Sequence, residues 1–142
     1  MDFKKCFKTS QLTNFQNIAL LLIRIVAGVA MMMHGWGKIQ NPFGWMPPDA
    51  PIPGILQFLA AFSEFGGGLA IVLGLLFPLG SLGVAITMAV ATLFHVMQGD
   101  PWVAMGPGAS FEPAFGYLVL AILFIAMGPG KFSVDSKLFG NK

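Results

Sequence analysis

Charged residues are scarce in this 142-residue sequence. Asp, Glu, Lys and Arg together make up 10% of the chain, whereas soluble domains carry about 25%. Hydrophobic residues make up 56%, and the mean hydropathy is +0.76. A water-soluble fold of this composition would lack the polar side chains to cover its surface. The sequence therefore predicts an integral membrane protein whose surroundings are a lipid bilayer.

Cysteine and the familiar catalytic motifs are also missing or nearly so. Cys6 is the single cysteine, which excludes an intramolecular disulfide and a Cys-x-x-Cys redox pair. The sequence contains no Walker A loop, no G-x-S-x-G elbow and no H-E-x-x-H helix. It thus shows no self-sufficient catalytic motif, and any redox chemistry would need a cofactor or a partner protein.

Long uncharged runs predict membrane-spanning helices. Residues 65–99 contain no Asp, Glu, Lys or Arg, which is too long for one crossing of about 20 residues and fits two helices. Pro78 and Gly80 are predicted to mark the tight turn between them. Segments 41–54 and 98–113 are rich in Pro and Gly and are predicted to be loops. The result is one domain over residues 1–142, an all-α membrane protein with a bundle of four transmembrane helices at about 15–39, 54–77, 79–97 and 113–128.

The distribution of basic residues predicts the orientation of this bundle. The net charge is +2, and no dense basic patch exists, so a nucleic-acid partner is not expected. Six of the eight Lys and Arg residues are in the terminal segments: Lys4, Lys5, Lys8, Lys131, Lys137 and Lys142. The loops on the opposite side hold only Lys38. The positive-inside rule then places both termini of this multi-pass protein in the cytoplasm.

The first apolar run could be mistaken for a signal peptide, because it follows a cluster of lysines. Arg24 interrupts the run, however, and further spans follow it. The segment is therefore expected to remain in the mature protein.

Two charged residues, Arg24 and Glu64, fall inside predicted spans. At a helical rise of about 1.5 Å per residue, Arg24 lies about 14 Å into the first span and Glu64 about 15 Å into the second. Both depths are near the middle of a hydrocarbon core about 30 Å thick, where an unpaired charge costs at least about 2.5–3.5 kcal/mol. The two side chains are therefore predicted to face each other inside the bundle.

This predicted pair has two interpretations. Gly67 and Gly68 lie three and four residues after Glu64, so another helix can approach closely at that level. An ion pair with Arg24 could serve only to fix how the first two helices dock. Alternatively, Glu64 could carry a proton or bind a ligand, since small neighbours leave room for water or a ligand.

A second polar group is predicted nearer the outer surface. His34 lies about 15 Å beyond Arg24 on the same helix, and Lys38 is one turn further. A second histidine lies near the outer end of the third helix and is followed by acidic residues in the outer loop. Five side chains could thus converge in one outward-facing pocket: His34, Lys38, His95, Asp100 and Glu112.

Two histidines on different helices of a bundle are also compatible with axial haem ligands or with half of a metal site. The sequence has no Cys-x-x-Cys-His motif, and a histidine near a bilayer interface is more often a hydrogen-bonding structural residue. The three consecutive methionines at 31–33 point to different sides of a helix and cannot readily bind one soft metal ion. Neither a haem nor a metal is expected, and no intrinsic cofactor is evident.

The polar residues belong to a wider pattern. Its parts, in order, are Arg24, HGWGK (34–38), EFGGGLAIVLGLL (64–76), Glu112 and GPGKFSVD (128–135). Over most of residues 18–135 this order and spacing resemble the DoxX family of small four-helix membrane proteins. The family motif falls on Arg24, His34, Gly35, Lys38, Glu64, Gly67, Gly68, Glu112, Gly130 and Asp135.

The resemblance implies a role in redox chemistry without naming the reaction. The family is named for its similarity to a membrane subunit of thiosulfate:quinone oxidoreductase, and bacterial members are described as membrane partners in redox or oxidative-stress complexes. It therefore implies a multi-pass protein of the bacterial cytoplasmic (inner) membrane that acts as the membrane subunit of a quinone-linked system and works with a redox partner protein. Glu64 and His34 are the candidate catalytic residues, as proton donors. The predicted ligand-binding residues are Arg24, His34, Lys38, Glu64, His95 and Glu112.

A non-catalytic function competes with this one, since kinship of fold does not transfer chemistry. The chain could be a membrane scaffold, a chaperone-like partner or a small-molecule carrier, in which Arg24 and Glu64 only hold the bundle together. The row of Gly66, Ala70 and Gly74 would also suit the interface of a homo-oligomer. The sequence leaves the ligand, the partner and the oligomeric state open.

Overall fold

The computed structural model describes residues 12–139, and all regular elements in that range are α-helices. They are α1 (Asn14–Gln40), α2 (Gly54–Leu73), α3 (Phe77–Met97), α4 (Glu112–Met127) and the short α5 (Val134–Phe139). Cys6 and the terminal lysines Lys4, Lys5, Lys8 and Lys142 lie outside the described residues. The cytoplasmic location of the termini therefore stays a prediction.

Three of these helices, α1, α2 and α3, are long and apolar enough to cross a membrane. The fourth, α4, is apolar but has 16 residues, a length of about 24 Å. Large apolar side chains cover the outside of the bundle; for example, Val26 is 70% exposed and Ile86 58%. Such a surface suits lipid and not water. The prediction of an all-helical integral membrane protein is confirmed.

The turn between α2 and α3 lies earlier than predicted. Helix α2 ends at Leu73, because Gly74 adopts a left-handed conformation with φ of 63° and terminates the helix. Pro78 and Gly80 are inside α3, which begins at Phe77. The prediction that these two residues form the turn is wrong. Proline is well tolerated in the first turn of a helix, where its missing N–H has no partner to lose.

Glycines bring α1, α2 and α3 close together. A Cβ placed on Gly28 would lie 2.7 Å from the Gly68 carbonyl oxygen, and a Cβ on Gly68 would lie 2.7 Å from the Gly28 carbonyl oxygen. On the other side of α2, a Cβ on Gly67 would lie 3.0 Å from the Gly80 carbonyl oxygen. The central helix α2 can therefore pack against both neighbours almost backbone to backbone, as the small residues after Glu64 predict.

The segment from Gly128 to the end of α5 packs against the end of the bundle where α2 ends and α3 begins. Asp135 is fully buried, and its two carboxylate oxygens accept hydrogen bonds of 2.9 Å from the backbone N–H groups of Leu76 and Phe77. These are among the N–H groups that a helix start leaves unsatisfied. On the same side, the Asn17 side chain accepts a hydrogen bond of 2.6 Å from the Lys131 N–H. The C-terminal segment is thus tied to both α1 and α3.

Candidate functional site

Lys38 of α1 and Glu64 of α2 form an ion pair, with 2.6 Å between Nζ and Oε1. The sequence allows the pair to form because Gly35 lies one turn before Lys38. A Cβ on Gly35 would lie only 2.9 Å from the Glu64 Cβ, so the absence of a side chain there lets the two helices meet at this level. The result is a charge pair between α1 and α2 at the end of the bundle opposite Asp135.

The Glu64 carboxylate is buried and only half satisfied. Its side chain is 3% exposed, whereas that of Lys38 is 28% exposed. Oε1 accepts the hydrogen bond from Lys38, but the buried Oε2 has no hydrogen-bond partner. Leaving a buried polar group unsatisfied costs about 1–3 kcal/mol. Glu64 therefore combines a nearby cation with an unused acceptor, and its Oε2 atom is able to accept a hydrogen bond from a ligand.

The loop between α1 and α2 covers this ion pair. The Lys38 Nζ lies 4.7 Å from the centre of the Trp45 ring, within the range of a cation–π interaction. The indole N–H of Trp45 in turn donates a 3.0 Å hydrogen bond to the Gln57 carbonyl. The buried Gln57 side chain accepts from the Met46 N–H and donates to the Ile52 carbonyl, both at 3.0 Å. The proline-rich loop is thereby held in place over Lys38.

Arg24 does not pair with Glu64, so that prediction is wrong. Arg24 is 1% exposed and donates four hydrogen bonds to backbone carbonyl groups. Their acceptors are Ile71 (3.0 Å), Val72 (3.0 Å), Pro129 (2.6 Å) and Phe132 (2.9 Å). The first two are at the C-terminal end of α2, where carbonyl groups lack helical partners. Arg24 thus ties α1 to the end of α2 and to the C-terminal segment, a structural role.

The error has a clear geometric cause. The depth estimate took the helix ends as the membrane faces, but α1 has 27 residues and is about 40 Å long, more than the hydrocarbon core. Packing sets the register instead: Gly35 lies against Glu64, and Gly28 against Gly68. Arg24 is eleven residues from Gly35, or about 16 Å along the helix. It therefore lies well below Glu64, at the end of α2.

His34 faces α4 and not α2. Its ring makes an edge contact with Tyr117, with 6.0 Å between the ring centres and an angle of 76° between the ring planes. His34 is exposed on the bundle surface and lies one helical turn from Lys38. The two candidate proton donors therefore lie on different sides of α1 near Lys38. His34 is on the side that faces α4, and Glu64 approaches from α2.

The remaining members of the predicted outer pocket do not join this group. His95 Nδ1 is 2.7 Å from Asp100 Oδ2, at the end of α3. Glu112 is exposed at the first turn of α4. Among the described residues, no hydrogen bond or ion pair connects either of them to Lys38 or Glu64. A ligand-binding role for His95 stays a prediction.

No group of three or more His, Cys, Asp or Glu side chains is placed to hold a metal ion within residues 12–139. The polar site instead offers hydrogen-bond donors and acceptors: the ammonium of Lys38, the carboxylate of Glu64 and the imidazole of His34. Such a set can bind a carbonyl-bearing ligand and exchange protons with it.

Sequence reasoning missed three residues of this region. Trp45 and Gln57 hold the loop over Lys38, and Tyr117 contacts His34. Gln57 could have been identified from the sequence, because an amide side chain in the first turn of an apolar span needs polar partners. Trp45 lies in the predicted loop 41–54, and a tryptophan near a membrane interface needs no ligand to explain it. Tyr117 is the single tyrosine of the chain, and its meeting with His34 depends on helix rotation, which the sequence does not reveal.

Comparison with known proteins places these residues in a family context. The DoxX family model matches residues 19–97, which include most of α1, all of α2 and α3, and both members of the Lys38–Glu64 pair. "Inner membrane protein YqjF" of Escherichia coli (strain K12) is 32% identical over 126 residues, covering 87% of this chain and 94% of that relative. No solved structure matches the chain significantly.

Proposed function

Since the chain belongs to the DoxX family, we propose that it is a multi-pass protein of the bacterial inner membrane that acts as the membrane subunit of a quinone-linked redox system. The name of its Escherichia coli relative and the three apolar helices of membrane length support the location. The redox role rests on the polar site at one end of the bundle. Within that site, the Glu64 carboxylate provides the main support for this role.

The observation that supports a proton-linked function is the state of the Glu64 carboxylate. One oxygen is bonded to Lys38, while the other is buried without a partner. A purely structural ion pair in a membrane gains most when both oxygens are satisfied, because each unsatisfied group costs free energy in hydrocarbon. The unused oxygen can instead accept a hydrogen bond from a ligand, or from a water molecule that delivers a proton to it.

The chemistry of a quinone suits these side chains. Reduction of a quinone to a quinol takes two electrons and two protons. In the proposed site the Lys38 ammonium would donate a hydrogen bond to one quinone carbonyl, and Glu64 and His34, each after taking up a proton from water, would pass one proton to the quinone oxygens. The electrons come from a redox partner protein, because this chain has a single cysteine and no flavin or iron–sulfur motif. The chain therefore binds and protonates the quinone and is not the electron donor.

A non-catalytic function is the alternative, and one observation favours it. Both membrane charges already have protein partners: Arg24 has four backbone carbonyl groups and Glu64 has Lys38. A bundle with such internal ties would serve as a membrane scaffold, a chaperone-like partner or a small-molecule carrier.

Purification in a mild detergent separates the two functions. The proposal expects a quinone in the lipid extract, measured by chromatography, and a dehydrogenase-type subunit among the co-purified proteins, identified by mass spectrometry. Unrelated client proteins without a quinone would support the scaffold instead.

A variant then tests Glu64 itself. Glu64→Gln keeps the size of the side chain and is expected to abolish quinol formation by the purified complex. The matched control is Asp49→Asn, which removes an exposed carboxylate from the nearby loop and is expected to leave the rate unchanged. Wild-type rates in Glu64→Gln would remove Glu64 from the mechanism.

A further inference from the structure

A groove of about 680 Å³ runs along the membrane-facing side of the bundle between α1 and α4. The two helices touch where His34 meets Tyr117, and the segment that follows α4 is bound to α1 where Arg24 donates a hydrogen bond to the Pro129 carbonyl. Between these points they leave a gap. The lining consists of Leu22, Ile23, Val26, Ala27, Glu112, Pro113, Gly116, Tyr117 and Leu120.

The shape of the groove fits a single hydrocarbon chain. Along α4 the lining extends from Glu112 to Leu120, a distance of about 12 Å. This is close to the depth of one leaflet, since the whole hydrocarbon core is about 30 Å thick. Gly116 is part of the wall, and a Cβ placed on it would meet nothing within 4 Å. The groove therefore has room for a guest, and its lower part is lined by aliphatic side chains.

The charge at the end of the groove near Glu112 determines which lipid head group fits there. Glu112 is the only charged residue of the lining, and it is exposed in the first turn of α4. No Lys or Arg lines the groove, so nothing in it complements an anionic head group. A carboxylate at this position complements an ammonium group. Tyr117 adds a phenolic hydroxyl, which can donate a hydrogen bond to a phosphate or ester oxygen.

We propose that this groove binds one phospholipid with a primary ammonium head group, of the phosphatidylethanolamine class. One acyl chain lies between α1 and α4, and the ammonium pairs with the Glu112 carboxylate. The groove lining includes neither Lys38 nor Glu64 and adjoins the redox site only where Tyr117 contacts His34. The lipid proposal does not depend on the proposed redox function.

Competition between defined lipids tests the head-group preference. The full-length protein is exchanged into detergent with equal amounts of phosphatidylethanolamine, phosphatidylcholine and phosphatidylglycerol that carry identical chains. Native mass spectrometry then counts the lipids retained. The wild type is expected to retain phosphatidylethanolamine about fivefold better than phosphatidylglycerol, the ratio given by an ion pair of about 1 kcal/mol. Glu112→Gln is expected to abolish this preference, while Asp49→Asn is expected to keep it.

A second pair of variants tests the groove as the place of binding. Gly116→Leu fills the gap and is expected to lower lipid retention at least severalfold. Gly37→Leu is the matched control, since Gly37 is also on an open helix surface with nothing within 4 Å of its Cβ but lies outside the groove. A thermal unfolding curve checks that both variants fold like the wild type.

Three results would overturn the proposal. The first is equal retention of phosphatidylethanolamine and phosphatidylglycerol by the wild type. The second is normal retention by Gly116→Leu. The third is release of a quinone, and not of a phospholipid, by Gly116→Leu, which would assign the groove to the redox ligand. Failure of quinone binding at Lys38 and Glu64 would leave all three measurements unaffected.

Discussion

Lys38 and Glu64 are 26 residues apart in the sequence, and their charged groups are 2.6 Å apart in the structure. The pair connects the last turn of α1 to the middle of α2, and Trp45 covers it from the loop between these helices. The geometry makes Lys38, and not Arg24, the partner that neutralises the membrane carboxylate. Any chemistry of Glu64 therefore also involves the position of Lys38 and of the covering loop.

Removal of Lys38 should be costly, and a double replacement should recover part of the loss. Lys38→Met leaves the buried Glu64 without its cation. Breaking a fully buried pair costs about 3–5 kcal/mol, and about 2 kcal/mol is expected here because Lys38 is partly exposed. Lys38→Met combined with Glu64→Leu removes both charges and should be closer to the wild type. Thermal unfolding in detergent measures both, and an equally unstable double variant would contradict the pairing.

Arg24→Lys should be strongly destabilising although it conserves the charge. The guanidinium reaches four carbonyl groups from two segments through three nitrogen atoms, whereas a lysine has one nitrogen. Hydrogen bonds to charged groups contribute about 1.5–3 kcal/mol each, so the loss of two would lower the free energy of unfolding by about 3 kcal/mol or more. Hydrogen exchange should show faster opening of residues 128–139. Lys137→Gln, at an exposed position, is the control. Unchanged exchange in Arg24→Lys would argue against a stabilising role for the Arg24 hydrogen bonds.

The helices themselves follow from simple patterns in the sequence. Apolar runs predict α1, α2 and α3, which have membrane length, and the shorter α4, and the glycines after Glu64 predict close packing at that level. These features are local, because they depend on composition and on the volume of single residues. The predicted position of the turn after α2 is wrong because Gly74 and Pro78 are both typical of helix boundaries. Only the backbone conformation shows that Gly74 ends α2 and that Pro78 lies in the first turn of α3.

The partners of the charged residues could not be predicted in the same way. Pairing depends on the register between helices, which is set by Gly28, Gly35 and Gly68 and not by counting from helix ends. Arg24 illustrates a second difficulty, since all four of its acceptors are backbone carbonyls, which any residue carries. The sequence pointed correctly to Arg24 as a residue that needs partners, but it contains no signal for which groups those would be.

Asp135 should stabilise the start of α3 from a distant part of the chain. Its two oxygens accept hydrogen bonds from Leu76 and Phe77. Asp135→Asn retains one acceptor oxygen and should lower the free energy of unfolding by about 1 kcal/mol, while Asp135→Ala retains none and should cost about 2 kcal/mol. Thermal unfolding in detergent measures the two losses. Asp49→Asn, which changes an exposed carboxylate, should be neutral, and equal stability of all three variants would refute the capping role.

Two neighbouring glycines on α2 should respond in opposite ways to the same substitution. A Cβ on Gly68 would lie 2.7 Å from the Gly28 carbonyl oxygen, so Gly68→Ala forces α1 and α2 apart at a cost of about 1–3 kcal/mol. The same Cβ on Gly66 would meet only the Phe62 ring, at 3.4 Å or more. Gly66→Ala should therefore gain up to about 1 kcal/mol from its better helix propensity.

The pair of variants provides its own control, because both change glycine to alanine in the same helix. Thermal unfolding should place Gly68→Ala below the wild type and Gly66→Ala at or above it. The larger separation in Gly68→Ala should also weaken the Lys38–Glu64 ion pair one turn away, and a lower rate of quinol formation should accompany the loss of stability. Stabilisation by both substitutions would mean that α1 and α2 do not approach each other as closely as Gly28 and Gly68 indicate.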